Sequence, residues 1–372
     1  MSVRFLTAVS GRAFNMRDRF GREIDYMRIS VIDSCNLNCY YCNPQDNDKK
    51  CQAINTLSVK KVFCIVRAAT RLGITHFRLT GGEPLLHPQI DEMVLQIKKI
   101  PGVSSVSLTT NAVLLAKKAK QLKEAGIDSI NVSLDTIDAS EYEHITKKPL
   151  LDKVEHGIDA AIECGIRVKI NVVLTPQTDV VALTRYASKK GTDIRFIEMM
   201  PVGEGHTNGV EPYEKVIGAL LEVYGTPCHI DTENREEINS GYNNADNGPA
   251  EYYSFHGLDI RVGLIQAIHG KFCDTCNRIR VTADGRLMPC LGSSVTMDLV
   301  PDSCEFTDDL EKDFVIVQAL KAAIKAKPGC HNFNDNAVTY TKTTETKTVE
   351  TKATELKAAE VNAARNMSRI GG

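Results

Sequence analysis

A chain of 372 residues that is 42% hydrophobic can bury one large α/β core or two smaller ones. Its formal net charge of −2 excludes a surface built as a whole for nucleic acid or for an anionic membrane. No run approaches the roughly 20 apolar residues of a membrane span, and the basic opening "MSVRFLTAVSGRAFNMRDRF" lacks the apolar core of a secretion signal, so a cytoplasmic protein is expected.

In chain order, the first strand-like run is "MRISVID" (27–33). "CNLNCYYC" follows at once and sets Cys35, Cys39 and Cys42 on a Cys-x3-Cys-x2-Cys pattern. A helical pattern over 58–73 leads to a strand at 75–80 and then to "LTGGEPLL" (79–86). There the missing side chains of Gly81 and Gly82 would let a ligand lie against the backbone. Further strand-like runs fall at 106–110, 129–135, 167–174 and 193–200, with helical patterns at 116–126 and 154–165 that end at the glycine expected just past a helix. Alternating strands and helices predict parallel strands joined by right-handed crossovers. The fold class is therefore α/β, a partial (βα)6 TIM-like barrel over 25–210 behind an N-terminal extension, 1–24. In such sheets the chemistry gathers at the C-terminal ends of the strands, where the first cysteine group falls.

Residues 211–335 read as a C-terminal extension: Gly-, Asn- and Pro-rich loops around a helix near 212–224, then "FCDTCNRIRVTADGRLMPC", then a helix near 308–326. Cys273, Cys276 and Cys290 lie there on Cys-x2-Cys-x13-Cys, with "ADG" as a turn between two short strands. The stretch 336–364 is dominated by Thr, Lys and Glu and reads as a solvated linker ahead of a tail, 365–372, that contains Gly371 and Gly372.

The twelve cysteines, without a secretion signal and gathered in tight groups, point to metal rather than to disulfides. A zinc site closes four ligands tetrahedrally, and Cys-x3-Cys-x2-Cys offers three from one loop. A cubane [4Fe–4S] cluster accepts such a loop and keeps one iron without a protein ligand, ready for a small molecule. The second group again offers three cysteines, although Cys304 or His269 could complete a zinc site there. Arg278 and Arg280 in "NRIR" share one face of a strand, and two guanidiniums beside a cluster call for an anion such as a phosphorylated substrate. Cys51, Cys64, Cys164, Cys228, Cys304 and Cys330 read as buried small apolar residues or free thiols, and His76, His87 and His269 as structural.

"CNLNCYYC" followed by "LTGGEPLL" resembles the radical S-adenosylmethionine superfamily. With "LTTNAVLL", "INVSLDTID", "VKINVVL", "IRFIEMMP", the second cysteine segment and "RNMSRIGG", the chain resembles more narrowly the GTP 3′,8-cyclase family of molybdenum cofactor biosynthesis. The resemblance implies two [4Fe–4S] clusters, on Cys35, Cys39 and Cys42 and on Cys273, Cys276 and Cys290. It implies S-adenosylmethionine beside Tyr41, Gly82, Ser133 and Met200, and GTP held by Arg28, Arg78, Thr109, Lys169, Arg278, Ile279 and Arg280. Arg28, Arg278, Arg280, Gly371 and Gly372 are the residues it implies for catalysis. An external electron donor, a homodimer and cyclic pyranopterin monophosphate synthase as pathway partner are also implied. "QAIHGKFC" and "TKKPLL" depart from the family's Ser-Pro and Gly-rich segments. Two alternatives stand beside this reading: a radical peptide-maturing enzyme with an auxiliary cluster, and a zinc-stabilised binding protein.

Overall fold

The structure, a computed structural model, describes residues 16–42, 54–201, 210–230, 248–293, 295–299, 309–331 and 333. Gly371, Gly372, Cys51, Cys304 and the Thr/Lys/Glu-rich stretch lie outside the described residues.

The barrel half runs β1 (Tyr26–Ser30), α1 (Val59–Thr70), β2 (His76–Thr80), α2 (Ile90–Lys98), β3 (Ser105–Thr110), α3 (Leu115–Glu124) and β4 (Ser129–Ser133). It continues with α4 (Ala139–Thr146), α5 (Leu151–Glu163), β5 (Arg167–Val173), α6 (Val180–Lys190) and β6 (Asp193–Ile197). The expected strands are all present. Three helices, α2, α4 and α6, had not been expected, yet two of them open on N-cap aspartates: Asp138 accepts from Glu141 N and Asp179 from Ala182 N. "TKKPLL" begins at the C-terminus of α4, where Lys147 takes the left-handed conformation that glycine adopts more easily.

The remaining elements are α7 (Ala219–Tyr224), entered through a π-helical turn at Glu214–Gly218, then β7 (Cys228–Ile230), β8 (Glu251–Ser254), β9 (Val262–Ile265), β10 (Arg278–Val281), β11 (Arg286–Met288), β12 (Met297–Asp298) and α8 (Asp309–Ala326). They do not form a separate layer. All twelve strands share one sheet in the order β12-β11-β10-β1-β2-β3-β4-β5-β6-β9-β8-β7. The extension thus adds a parallel strand at each side of the six, β10 against β1 and β9 against β6, and each is backed by antiparallel strands.

The outer faces of the strands pack on the helices through residues such as Met27, Ile29, Phe77, Leu79, Leu108, Ile130, Ile170 and Phe196, all fully buried. The opposite, inward parity is polar: Arg28, Arg78, Ser107, Thr109, Asn131, Lys169, Asn171, Arg195 and Arg280. A barrel interior lined by cations is expensive unless it holds something. Among the described residues, no helix is long and apolar enough to cross a membrane.

Candidate active site

The inward faces enclose a cavity of about 350 Å³, and both cysteine groups line it. They stand at opposite ends of the strands. Cys35, Cys39 and Cys42 follow the C-terminal end of β1, whereas Cys276 and Asn277 precede β10, whose Arg278 is in register with Tyr26 at the start of β1. The first group thus stands at the C-terminal ends of the strands, as expected, and the second at the N-terminal ends.

The first loop is tied to its neighbours through the backbone. Gly82 N donates to Ile32 O at 2.7 Å, Glu83 N to Ser34 O at 2.8 Å, Asn38 N to Thr146 O at 3.0 Å and Tyr40 N to Ile145 O at 3.1 Å. A Cβ on Gly81 would overlap the Ile32 carbonyl oxygen, and one on Gly82 that of Ser34. The two glycines thus admit the backbone of the segment leading into Cys35, and both also line the cavity.

Glu83 locks the same corner. Its Oε1 accepts from Leu85 N (2.9 Å) and Thr110 Oγ1 (2.7 Å), and its Oε2 from Asn111 N (2.7 Å). Burial nevertheless pushes its carboxyl up to about 7. Asn111 Nδ2 in turn reaches Asn36 Oδ1 at 2.7 Å, within the cysteine loop. Tyr41 donates to Asp135 Oδ2 at 2.5 Å, and Val173 N donates to Asp135 Oδ1 at 2.8 Å. Burial raises that carboxyl to about 6.

The second group is held by a strap, residues Lys327 to His331. Lys327, 3% exposed, donates from Nζ to Arg278 O (2.8 Å) and Pro289 O (3.0 Å) and also bonds the Cys276 thiol. The His331 N–H donates to the Cys273 sulfur, and His331 Nε2 bonds Ala267 O at 2.7 Å. Buried Arg22 reaches across from the N-terminal side to Cys273 O, Gly329 O and Pro328 O.

The two groups differ electrostatically. Burial pushes the Cys35 thiol up to about 12 and Cys39 higher still. Burial would also raise Cys276, but Arg278 and Lys327 outweigh it and bring that thiol down to about 7.

Between the groups lie the cations. Arg28, Arg78, Arg195, Arg278 and Arg280 all line the cavity. Burial, with Arg280 and Arg78 beside it, drives Arg28 well below its usual range, and burial with Arg278 brings Arg280 down to about 10. Arg78 donates from Nε to Ser107 Oγ at 2.9 Å and packs over the Tyr26 ring. Arg278 Nε, Arg280 Nη1 and Thr109 Oγ1 are buried without a hydrogen-bond partner, so the surface they form suits a polar ligand.

Of the residues expected from the sequence, Tyr41, Gly82, Ser133, Met200, Arg28, Arg78, Thr109, Arg278, Arg280 and the six cysteines of the two groups meet in this cavity. Lys169 shares the inward face of β5 with Asn171 but is not among the lining residues, and Ile279 packs in the apolar core on the other face of β10. His76, His87 and His269 are each hydrogen-bonded, to Thr75, Leu57 O and Glu198 respectively. Among the spare cysteines Cys64 is buried, whereas Cys228 and Cys330 are exposed. Arg195, Asp135, Arg22, Lys327 and His331 were not anticipated. Arg195 could have been found from its place in the strand "DIRFI" and Asp135 from its place just past the strand "SINVS", but nothing local marks "KPGCH".

The donor sets fit iron–sulfur clusters. Each offers three thiols free of disulfide bonds on the wall of a cavity, soft donors of the kind that hold such clusters. Among the described residues no three Cys, His, Asp or Glu side chains converge on a single ion, so the fit rests on the donor set and the cavity.

Two family models match the chain. The family model of the Radical SAM superfamily matches residues 29–183, and that of Molybdenum Cofactor Synthesis C matches 192–333. The chain is 36% identical over 322 residues to a GTP 3′,8-cyclase of Clostridium perfringens (strain SM101 / Type A), spanning 86% of this chain and 95% of that one. It is 37% identical over 320 residues to one of Listeria monocytogenes serovar 1/2a, spanning 85% and 92%. Among solved structures, Streptococcus suis SuiB bound to S-adenosylmethionine is similar in fold, with a TM-score of 0.55 and 17% identity over 82% of this chain and 68% of that one.

Proposed function

The chain belongs to the family of GTP 3′,8-cyclases, and from that premise we propose how its cavity divides the work. It is a radical S-adenosylmethionine enzyme of molybdenum cofactor biosynthesis that converts GTP to the 3′,8-cyclo nucleotide. The peptide-maturing and zinc-binding alternatives are set aside. The observation that carries the reading is the convergence of two three-cysteine groups on one cavity with a row of arginines between them.

Cys35, Cys39 and Cys42 hold a [4Fe–4S] cluster, and Tyr41, Gly82, Ser133 and Met200 surround S-adenosylmethionine next to it. When bound, that cluster supplies the electron that opens the sulfonium and so starts the radical reaction on the sugar. Tyr41 is kept in place by Asp135, and the cysteine loop by Glu83 and Asn111.

Arg28, Arg78, Arg195, Arg278 and Arg280 take the triphosphate, roughly four negative charges, by bidentate contacts. Lys169 adds a further cation beneath them, and Ile279 can reach the nucleotide only through its backbone, because its side chain lies in the core. Thr109 offers its unpartnered hydroxyl to the nucleotide. In this reading the purine would meet Cys273, Cys276 and Cys290, which would hold a second [4Fe–4S] cluster, and the ribose would face the first group. The catalytic role that the family resemblance implies for Gly371 and Gly372, which lie outside the described residues, belongs to the same proposal. The protein's contribution is to hold sugar and base in register and to keep water and reductants away. A homodimer and an external electron donor belong to the same proposal.

Anaerobic reconstitution tests it: about eight irons per chain and a nucleotide product isomeric with GTP, formed only with S-adenosylmethionine and a strong reductant, are expected. Four irons per chain would remove the second cluster, and stoichiometric zinc would remove both.

A further inference from the structure

The strap that holds the second group carries a thiol with no role in the site just described. Cys330 is exposed, and its backbone is pinned beside Cys273 from both sides. On one side, Arg22 Nη1 donates to Cys273 O at 2.6 Å and to Gly329 O at 3.0 Å, so the two backbones meet at a single nitrogen. On the other, the His331 N–H donates to the Cys273 sulfur. Cys330 is the one residue between those anchors. The anchors are firm: Arg22 is 8% exposed, its Nε holds Asp18 Oδ2 at 2.6 Å and its Nη2 holds Pro328 O at 2.6 Å. The charge of Cys330 reaches the Cys273 thiol together with those of Cys276 and Cys290, so its sulfur stands near the three thiols that line this end of the cavity.

We propose that Cys330 is a fourth thiolate ligand of the second cluster, closing it while the protein is free of nucleotide and giving way when GTP takes that iron. The proposal rests on Cys273, Cys276 and Cys290 being a cluster site. The exchange needs no redox partner: the S–H bond of Cys330 breaks as its sulfur–iron bond forms, the proton passing to solvent. When a nucleotide atom replaces the sulfur, the thiolate recovers a proton. A position open to solvent suits a ligand that must come and go, whereas Cys276 is bonded to a buried lysine. The closed form also protects the cluster, because an iron bound by no protein thiolate is the one released on oxidation.

The test uses the full chain with Cys35, Cys39 and Cys42 replaced by Ser, reconstituted anaerobically without nucleotide, so that only the second cluster remains. One equivalent of ferricyanide per cluster removes one electron, and iron content with electron paramagnetic resonance reports the outcome. With Cys330 present, all four irons should stay. Cys330→Ala in that background should lose one iron and show a [3Fe–4S] signal at least fivefold larger. As a second readout, Cys273→Ala should keep a cluster on Cys276, Cys290 and Cys330, and Cys273→Ala combined with Cys330→Ala should keep none. Equal iron loss with and without Cys330, or equal iron in the two Cys273→Ala proteins, overturns the proposal while leaving the second cluster standing. A background that binds no iron at all overturns both.

Discussion

Arg280 lies in register with Arg28 across the parallel pair β10 and β1, and Arg28 lies in register with Arg78 across β1 and β2. Three guanidiniums thus stand side by side on the inner face of three neighbouring strands, with Arg78 and Arg280 buried and Arg28 half-buried between them. Like charges directly opposed across strands repel, and burial strengthens the repulsion. The row is costly to the empty protein and is offset when a polyanion arrives.

Arg280→Met removes one member of that row. We expect GTP to bind about 2–3 kcal/mol more weakly, the loss of a charge-assisted contact to a buried anion. The melting temperature of the nucleotide-free protein should stay constant or rise, because one repelling cation has gone. Titration calorimetry and thermal unfolding read the two effects. A lower melting temperature with unchanged GTP affinity would assign Arg280 to structure.

Gly82→Ala places a methyl group on the Ser34 carbonyl. Backbone cannot move aside as a flexible side chain can, so a loss of about 1–3 kcal/mol in stability is expected. The cysteine loop is what must shift, so iron bound at Cys35, Cys39 and Cys42 should fall with it, while iron at the second group stays. Denaturant titration and iron analysis of the variant decide this, and full iron at normal stability would contradict the packing argument.

Glu83→Gln tests the other lock. Leu85 N points at one carboxyl oxygen and Asn111 N at the other, so either orientation of a glutamine amide sets an NH2 against an N–H. A loss of about 1–3 kcal/mol follows. The sign of the pH effect also follows. The folded-state pKa, about 7, lies above the unfolded carboxylate value. Glu83 therefore contributes most below the unfolded value, and that contribution is lost as pH rises through 7. The stability gap between parent and variant should narrow between pH 5 and pH 8 in parallel urea titrations; a gap that widens would show that the three donors outweigh burial.

Lys327→Met keeps the length of a buried side chain but strips its donors from Arg278 O and Pro289 O. Two carbonyls left without their cation should cost about 2–4 kcal/mol. The loss should appear in urea unfolding, and iron retention at Cys276 should drop because the strap no longer grips it. Stability equal to the parent's would mean that water replaces the ammonium there.

Much of this architecture was legible in local pattern. The six strands announce themselves as β-branched runs, and the outward parity of Met27 and Ile29 against the inward Arg28 is already an alternation in "YMRIS". Cys35, Cys39 and Cys42 lie within one loop, so their spacing alone limits what they can bind. Arg278 and Arg280 share a face because strand side chains alternate, and both indeed line the cavity. The helices α4 and α6 were overlooked although Asp138 and Asp179 mark their starts, because short helices with mixed faces give weak periodicity. Lys327 and Arg22 could not have been singled out: their partners lie 49 and 251 residues away along the chain, and a buried cation has the same letter as a solvated one.

The sequence by itself determined the chemistry of each piece: two thiol groups, a strand–helix alternation, a Gly-Gly turn and a pair of arginines on one strand face. Only the tertiary structure decided their arrangement. β10 could have paired anywhere, and its parallel docking on β1 is what sets the second cysteine group at the far end of the barrel and draws Arg280 alongside Arg28. The physical reason is range. Ligand spacing within a loop and side-chain parity along a strand follow from covalent geometry over a few residues. Strand order, and with it the distance between the two groups and the charge gathered between them, comes from burying apolar faces contributed by the whole chain.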